Sequence, residues 1–502
     1  MLPPVWPQYQ SYIQTHYRTF IDGLLPLLAQ PSVSHDHADV RRCAHLIRDL
    51  LQHEGASAEI METAGNPVVY GEIAGARDDV TVVLYNHYDV KPVEPRMAWQ
   101  SEPFQPTFRR GRVEDHAPLV PEWRVLRDDE LLACLVYARG SGDDKGPLYG
   151  NLMALRTLRA VAGQPPCRLK FLFDGEEEIG SPHLPAFLRA HRGRFQGDVM
   201  IIADGPMHPS GRPTVSLGVR GVMMLEIRLQ TANQILHSGH YGNAAPNAAW
   251  ELIQLLATMR DPEGNCLVPD FYTDATPPTS EEQQLLQAIP FDDAQMRAFL
   301  GLERWEGPAA LSFYEKTLFR PTFNVNGLQS GTVGATRSTV IPHQATAAID
   351  VRLVAGMNMD TVCRQIVEHV QARCPGADVE LIHGYEAYKI AVTHPQVQKV
   401  IGAVHDLCTS MADAEPPIVL PTMGGSLPLH DLAQALGIPL ISLPLANHDD
   451  NQHAPNENLR LGHFVQGVST MLTVLHGLAA ETTPPHLSRR QVSPRWSSAH
   501  ES

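Results

Sequence analysis

The sequence predicts an α/β protein: a mixed, mostly parallel sheet flanked by helices, interrupted by an inserted α+β domain. Three observations predict it. Short, largely apolar runs such as Leu169-Lys170-Phe171-Leu172-Phe173 and Val199-Met200-Ile201-Ile202-Ala203 have the character of strands covered on both faces. Several such runs open into acid-rich loops, and in open α/β sheets chemistry gathers beyond the carboxyl ends of the strands. Between about 213 and 384 the pattern changes to strict alternation, as at Met223, Leu225, Ile227 and Leu229, which marks antiparallel strands with one buried face.

With 502 residues, 43% of them hydrophobic, the chain is long enough for two or three domains with real cores. The patterns divide it into a first catalytic part (1–212), an inserted domain (213–385), a second catalytic part (386–480) and a disordered tail (481–502). No stretch has the uninterrupted apolar length of a membrane span. The start, Met1-Leu2-Pro3-Pro4-Val5-Trp6-Pro7, has neither the basic residues nor the apolar core of a signal peptide. Seven scattered cysteines without a C-x-x-C pair argue for reduced thiols and a cytoplasmic protein, and against a thiolate zinc site. A net charge of −16, with no basic run before the tail, argues against nucleic acid and acidic membranes as partners.

Taken in order, residues 9–54 carry two helical stripes. The first runs through Tyr9, Ile13, Tyr17, Phe20 and Leu24; the second, through Val40, Ala44, Ile47 and Leu51, follows Ser34 as its N-cap. Val68-Val69-Tyr70-Gly71-Glu72-Ile73 and Val80-Thr81-Val82-Val83-Leu84-Tyr85 are strands, and the second runs into Asn86-His87-Tyr88-Asp89. Strand alternation puts His87 and Asp89 on one face, where a carboxylate can hold the imidazole tautomer that leaves one nitrogen free for a metal. After an irregular, proline-rich stretch over 103–129, the run Leu135-Val136-Tyr137-Ala138 leads to Gly142-Asp143-Asp144-Lys145-Gly146-Pro147. Pro147 suits the first turn of a helix that Leu148, Leu152, Leu155 and Leu158 continue and Gly163 ends. Asp174-Gly175-Glu176-Glu177-Glu178 follows the next strand. Adjacent carboxylates there cannot all stay ionised cheaply unless a cation or proton sits between them. Asp204 ends the strand after that. Beyond the inserted domain, with its alternating strand at Ala347, Ile349, Val351 and Leu353, the run Ile438-Pro439-Leu440-Ile441-Ser442-Leu443 leads to another loop rich in His and carboxylate, 447–457, containing His453. Hard carboxylates with imidazole and no thiolate suit Zn, Mn or Co.

These motifs, in this order, resemble the M20 family of dinuclear zinc peptidases, and among them the carnosinase-like cytosolic dipeptidases. The resemblance extends to about residue 478 and rests on His87-Tyr88-Asp89-Val90, Gly142-Asp143-Asp144-Lys145-Gly146-Pro147, Glu177-Glu178-Ile179-Gly180-Ser181, Asp204, Leu236-His237-Ser238-Gly239 and the His453 loop. It implies two divalent ions per chain, zinc with Mn and Co as alternatives. One would be held by His87 and Asp204, the other by Glu178 and His453, with Asp143 bridging them. It further implies that Glu177 is the general base acting on a water between the metals, that Asp89 holds His87, and that His237 stabilises the tetrahedral oxyanion. The inserted domain would serve as a lid and as the contact of a homodimer across which His237 reaches. Arg352 and the turn containing Gly425 and Ser426 stand where the family grips a substrate carboxylate, although Asp350, on the same strand face, is an alternative partner for Arg352. The resemblance also implies a cis peptide between Asp143 and Asp144. Glu176 is expected to be a solvated bystander, and Asp144 and Lys145 to support their loop. Asn86 and Ala138 depart from the family, where glycine is usual, and the stretch 106–129 is longer than the expected hairpin.

The function this implies is hydrolysis of dipeptides or short peptides with a free C-terminal carboxylate. An N-acyl-amino-acid amidohydrolase of the deacetylase or desuccinylase kind would use the same metals and base. An inactive regulator that binds metal or peptide is a third reading, against which Glu177 speaks: a pure binder has no use for a non-ligating carboxylate beside a ligand.

Overall fold

The computed structural model describes residues 1–411 and 414–481; the tail expected to be disordered lies, beyond its first residue, outside them. The first two helices span Trp6–Ala29 and His37–His53, and bury the stripes read from the sequence. Asp36, not Ser34, caps the second, its carboxylate accepting from the Asp39 N–H at 3.0 Å. A carboxylate there also meets the positive end of the helix. Ser34 is instead drawn toward the site, and its hydroxyl donates to Asp89 Oδ2 at 2.7 Å.

Eight strands form the main sheet. In spatial order they are Ser57–Met61, Val68–Ile73, Cys167–Asp174, Arg77–His87, Val199–Ile202, Leu440–Ser442, Thr214–Ser216 and Ile418–Leu420. The four central strands are parallel to one another. Alternation along them feeds two cores. Leu84, Phe171 and Ile201 pack against the layer of Lys145–Ala162 and Leu461–Ala479, while Tyr85, Leu172 and Met200 meet Leu184–Ala190 and Leu429–Leu436. Register then does the work of assembly: His87 lies opposite Asp174, and Tyr85 opposite Ile202. Three loops therefore leave the sheet side by side.

The inserted domain has a four-stranded antiparallel sheet, ordered Thr322–Ser330, Gln344–Leu353, Gly221–Gln230, Ala377–Tyr385. Helices Ala248–Ala257 and Met359–Arg373 share one core with it. Thr214–Ser216 belongs to the main sheet, and Gly218–Val219 pairs with Tyr388–Lys389. The chain thus crosses into the insertion after Val219, a few residues past the expected boundary at 212/213.

The stretch 103–129 is less irregular than its prolines suggested. Thr107–Arg109 joins Leu135–Tyr137 and Asn458–Arg460 in a small antiparallel sheet, and Trp123 stacks on Phe108 with ring centroids 4.7 Å apart. Three-residue strands carry too little alternation to be read from sequence. This sheet brings the loop containing His453 beside the loop containing Asp143.

Candidate active site

The predicted metal residues converge. Asp143 is at the centre, with Oδ1 2.7 Å from His87 Nε2 and Oδ2 3.0 Å from His453 Nε2. His453 Nε2 is also 3.1 Å from Glu178 Oε2, and Asp204 Oδ2 lies 3.9 Å from His87 Nε2. Ligand atoms of His87, Asp143 and Glu178 fall within 4.8 Å of one another, as do those of His87, Asp144 and Asp204. Asp144, expected only to support its loop, thus enters one of these sets. Glu177 Oε2 is 3.9 Å from His87 Nε2, and the side chain faces the cleft. The Asp143-Asp144 peptide is cis.

Buried partners hold these groups. His87 Nδ1 makes its hydrogen bond to the Asp89 carbonyl at 3.0 Å, with the Asp89 carboxylate at 3.4 Å, so Nε2 is the nitrogen turned to the cluster. The Asp89 carboxylate also accepts the backbone N–H groups of Glu177 (3.0 Å) and Glu178 (3.1 Å), tying the acidic turn to the His87 strand. Asn86, where glycine was expected, is a buried hub: it donates to Asp144 Oδ2 at 2.7 Å and accepts from Asn151. Glu176 is not solvated. It is buried, accepting the Asn66 N–H at 2.9 Å and lying 2.7 Å from His183 Nδ1.

Two participants escaped the sequence reading. Glu457 is wholly buried and cradles the Asp143 loop, accepting the N–H groups of Gly140, Gly142 and Asp143 at 2.9–3.0 Å and the Arg139 guanidinium at 2.7 Å. Only the strand pairing that joins the loops reveals it. Lys91 Nζ stands 2.9 Å from Glu178 Oε2 and lines the cleft. Alternation through His87 and Asp89 to position 91 would have singled it out.

The electrostatics favour added positive charge. Burial drives the Glu177 carboxyl well above its usual range, against the attraction of His87. Burial also raises Asp204 to about 7, again against His87, with Asp143 and Glu178 adding repulsion. For Asp143 burial is outweighed by hydrogen bonds from His453 and His87, which hold the carboxyl well below its usual range. The same bonds overcome burial at His453 and lift it to about 10. Asp204 Oδ1 is buried without a hydrogen-bond partner. Crowded carboxylates, two imidazole nitrogens aimed at them and an orphaned acceptor are a donor set that fits two divalent cations. His87, Asp143 and Asp204 could hold one, and Asp143, Glu178 and His453 the other.

The cluster opens into a cleft of about 860 Å³ whose far wall includes Arg352, Tyr385, Gly425 and Ser426. Arg352 divides its guanidinium, with Nη1 2.7 Å from Ser426 Oγ and Nε 3.1 Å from Asp350 Oδ2. The pairing with Asp350 offered by the strand face is present, and Ser426 takes the remaining hydrogen bond. His237 is not brought in. It sits exposed on the two-residue strand Leu236–His237, paired with Val340–Ile341, and is absent from the cleft wall.

Comparison with known proteins agrees with this geometry. The description of peptidase family M20/M25/M40 matches residues 83–477. The Cys-Gly metallodipeptidase DUG1 of Candida albicans is 25% identical over 486 residues, covering 91% of this chain and 94% of the relative. The human Beta-Ala-His dipeptidase is 23% identical, covering 91% and 89%. Among solved structures, an M20 family metallo-carboxypeptidase from Sulfolobus solfataricus superimposes with a TM-score of 0.79 at 26% identity, covering 92% of this chain and 99% of the other. The chain belongs to peptidase family M20/M25/M40 and is a metal-dependent hydrolase of that family.

Proposed function

We propose that the protein hydrolyses dipeptides and short peptides that end in a free carboxylate, using two zinc ions per chain. The observation that carries this reading is the composition of a single cleft. It joins the carboxylate–imidazole cluster and Glu177 to a guanidinium, a hydroxyl and a glycine turn. Arg352, Ser426 and Gly425 bind the C-terminal carboxylate of the substrate. An added Cβ at Gly425 would meet nothing within 4 Å, so glycine there leaves open space rather than relieving a clash in the fold. The names of the relatives support a dipeptide over an N-acyl amino acid: one acts on Cys-Gly, another on Beta-Ala-His.

His87, Asp143 and Asp204 would hold one ion, and Asp143, Glu178 and His453 the other. When bound, the ions polarise the scissile carbonyl and lower the pKa of water. Glu177 removes a proton from the attacking water and delivers it to the leaving nitrogen, from a side chain that faces the cleft 3.9 Å from His87 Nε2. Asp89 keeps the His87 ring and the Glu177-Glu178 turn in register with each other. His237 donates to the oxyanion of a partner subunit in a homodimer formed through the inserted domain. Its exposure away from its own cleft supports this. So do Trp250 and Ile253, one turn apart on helix Ala248–Ala257 and 63% and 49% exposed, too apolar to be ordinary surface. A cytoplasmic location is supported by seven free cysteines, and no helix among the described residues is long and apolar enough to cross a membrane.

A hydrolysis screen tests the reading: dipeptides beside N-acetyl and N-succinyl amino acids, with Zn, Mn and Co each supplied. Turnover of dipeptides, best with Zn, is expected. Turnover confined to the N-acyl compounds would overturn it.

A further inference from the structure

Beside the cleft is a second cavity of about 990 Å³ that none of the catalytic steps uses. It shares Pro206, His208, Pro209, Met296, Tyr314 and Gln452 with the cleft, and none of Arg352, Gly425 or Ser426. It therefore opens from the part of the cleft that does not grip the carboxylate. At its threshold His208 Nε2 and Tyr314 Oη are 3.0 Å apart, joining the loop after Asp204 to the inserted domain. Gln452, which donates to Asp143 Oδ2 at 2.7 Å, links it to the cluster.

The wall on the inserted domain is unusual. Helix Asp293–Leu300 buries none of its residues. It is kept helical locally, by the Asp292 carboxylate accepting the Gln295 N–H at 2.9 Å and by the Arg297–Asp293 pair at 2.8 Å. Its apolar residues Met296 and Phe299 stand one turn apart and both line the cavity, Phe299 with 76% of its surface exposed. Phe291 completes the wall, its ring stacked on Phe313 at 4.6 Å. An apolar stripe that adds nothing to a core, facing a void continuous with a catalytic cleft, has the make-up of a ligand pocket.

We propose that this cavity is the subsite for the side chain of the substrate's N-terminal residue, and that it selects large apolar or aromatic side chains through Met296, Phe299 and Phe291. The orientation rests on the dipeptidase reading. With the carboxylate at Arg352 and Ser426 and the scissile bond at Glu177, the N-terminal residue extends toward Gln452 and the His208–Tyr314 threshold. Beyond the scissile carbonyl a dipeptide carries two groups, its α-ammonium and its N-terminal side chain, and the side chain is the one an apolar wall of Met296, Phe299 and Phe291 can select.

Calorimetric binding of Trp-Gly and Ala-Gly to zinc-loaded Glu177→Gln protein tests this without turnover. Trp-Gly should bind about tenfold or more tightly, the discrimination an apolar pocket provides. Met296→Ala combined with Phe299→Ala, at exposed or half-buried positions the fold does not depend on, should bring the ratio to within about twofold. Equal affinities at the outset, immeasurable ones included, or a ratio that survives the double substitution, would overturn the proposal. Hydrolysis of Ala-Gly by the wild-type enzyme checks the dipeptidase reading separately. Binding discrimination without hydrolysis would leave the subsite standing and remove the reaction.

Discussion

The main sheet and the inserted domain furnish one cleft by different routes. In the sheet, backbone register sets the neighbours: with His87 opposite Asp174 and Tyr85 opposite Ile202, residues within a few positions of three strand ends must meet. The inserted domain has no such rule. Arg352 lies within the strand Gln344–Leu353, Met296 and Phe299 on a helix without buried residues, and His237 on a strand of two residues. Apart from His237, the residues assigned to bond breaking thus stand at the ends of the main sheet's strands and in the loops beside them, whereas Arg352, Met296 and Phe299, though not Gly425 and Ser426, bring recognition of substrate from the inserted domain. Substitutions in the sheet loops should strike metal and kcat; substitutions in the insertion should strike particular substrates.

His237 is the exception that tests this division most severely, since it assigns chemistry to the insertion. His237→Ala should lower kcat by about 10²–10³-fold, the usual cost of one oxyanion donor, with KM changing less. Mixing inactive His237→Ala and Glu177→Ala chains should restore part of the activity if the residue acts across a dimer. An unchanged kcat would return all the chemistry to the sheet. Arg352→Lys should follow the rule instead, raising KM about tenfold with a smaller effect on kcat, because an ammonium cannot reproduce the planar fork. An unchanged KM would mean that the arginine serves only Asp350.

The smallest effect separates the cluster from the rest of the fold by pH. His453 is raised to about 10 in the folded protein from an ordinary 6.5, and His87 is raised as well. The folded state then holds extra protons above pH 6.5, so the stability these groups give is fully present below 6.5 and is lost as pH rises toward 10. Scanning calorimetry of chelator-treated protein should show Tm falling by a few degrees between pH 7 and 9. Zinc-loaded protein should not show this, because bound metal takes the place of those protons. Parallel behaviour of the two forms would count against the imidazoles as ligands.

The same contrast explains what the sequence revealed. His87, Glu177, Glu178 and Asp204 were legible because a strand end is a local signal, and the α/β class followed from the same runs. Glu176 as a buried brace and Asn86 as a hub were not, since each is decided by a partner far along the chain, Asn66 and Asp144; the cap falls to Asp36 because distant Asp89 takes the Ser34 hydroxyl. Glu457 is the clearest case. It follows His453 by four residues in an acidic loop, and only the pairing of Asn458–Arg460 with Leu135–Tyr137 places its carboxylate under Asp143. The cavity beside the cleft was illegible for a further reason: Met296 and Phe299 have the spacing of a core stripe, and only the structure shows that they join no core.

The division of labour between two adjacent glutamates is the most direct test. Metal content and kcat of purified Glu177→Gln and Glu178→Gln should diverge. Glu177→Gln should fold and hold two ions while kcat falls by about 10²–10⁴-fold, the range for general acid–base catalysis. Glu178→Gln should lose metal and activity together, in part recoverable with excess zinc. Loss of metal from Glu177→Gln with both ions retained in Glu178→Gln would reverse the two roles, and ordinary turnover by Glu177→Gln would contradict the mechanism outright.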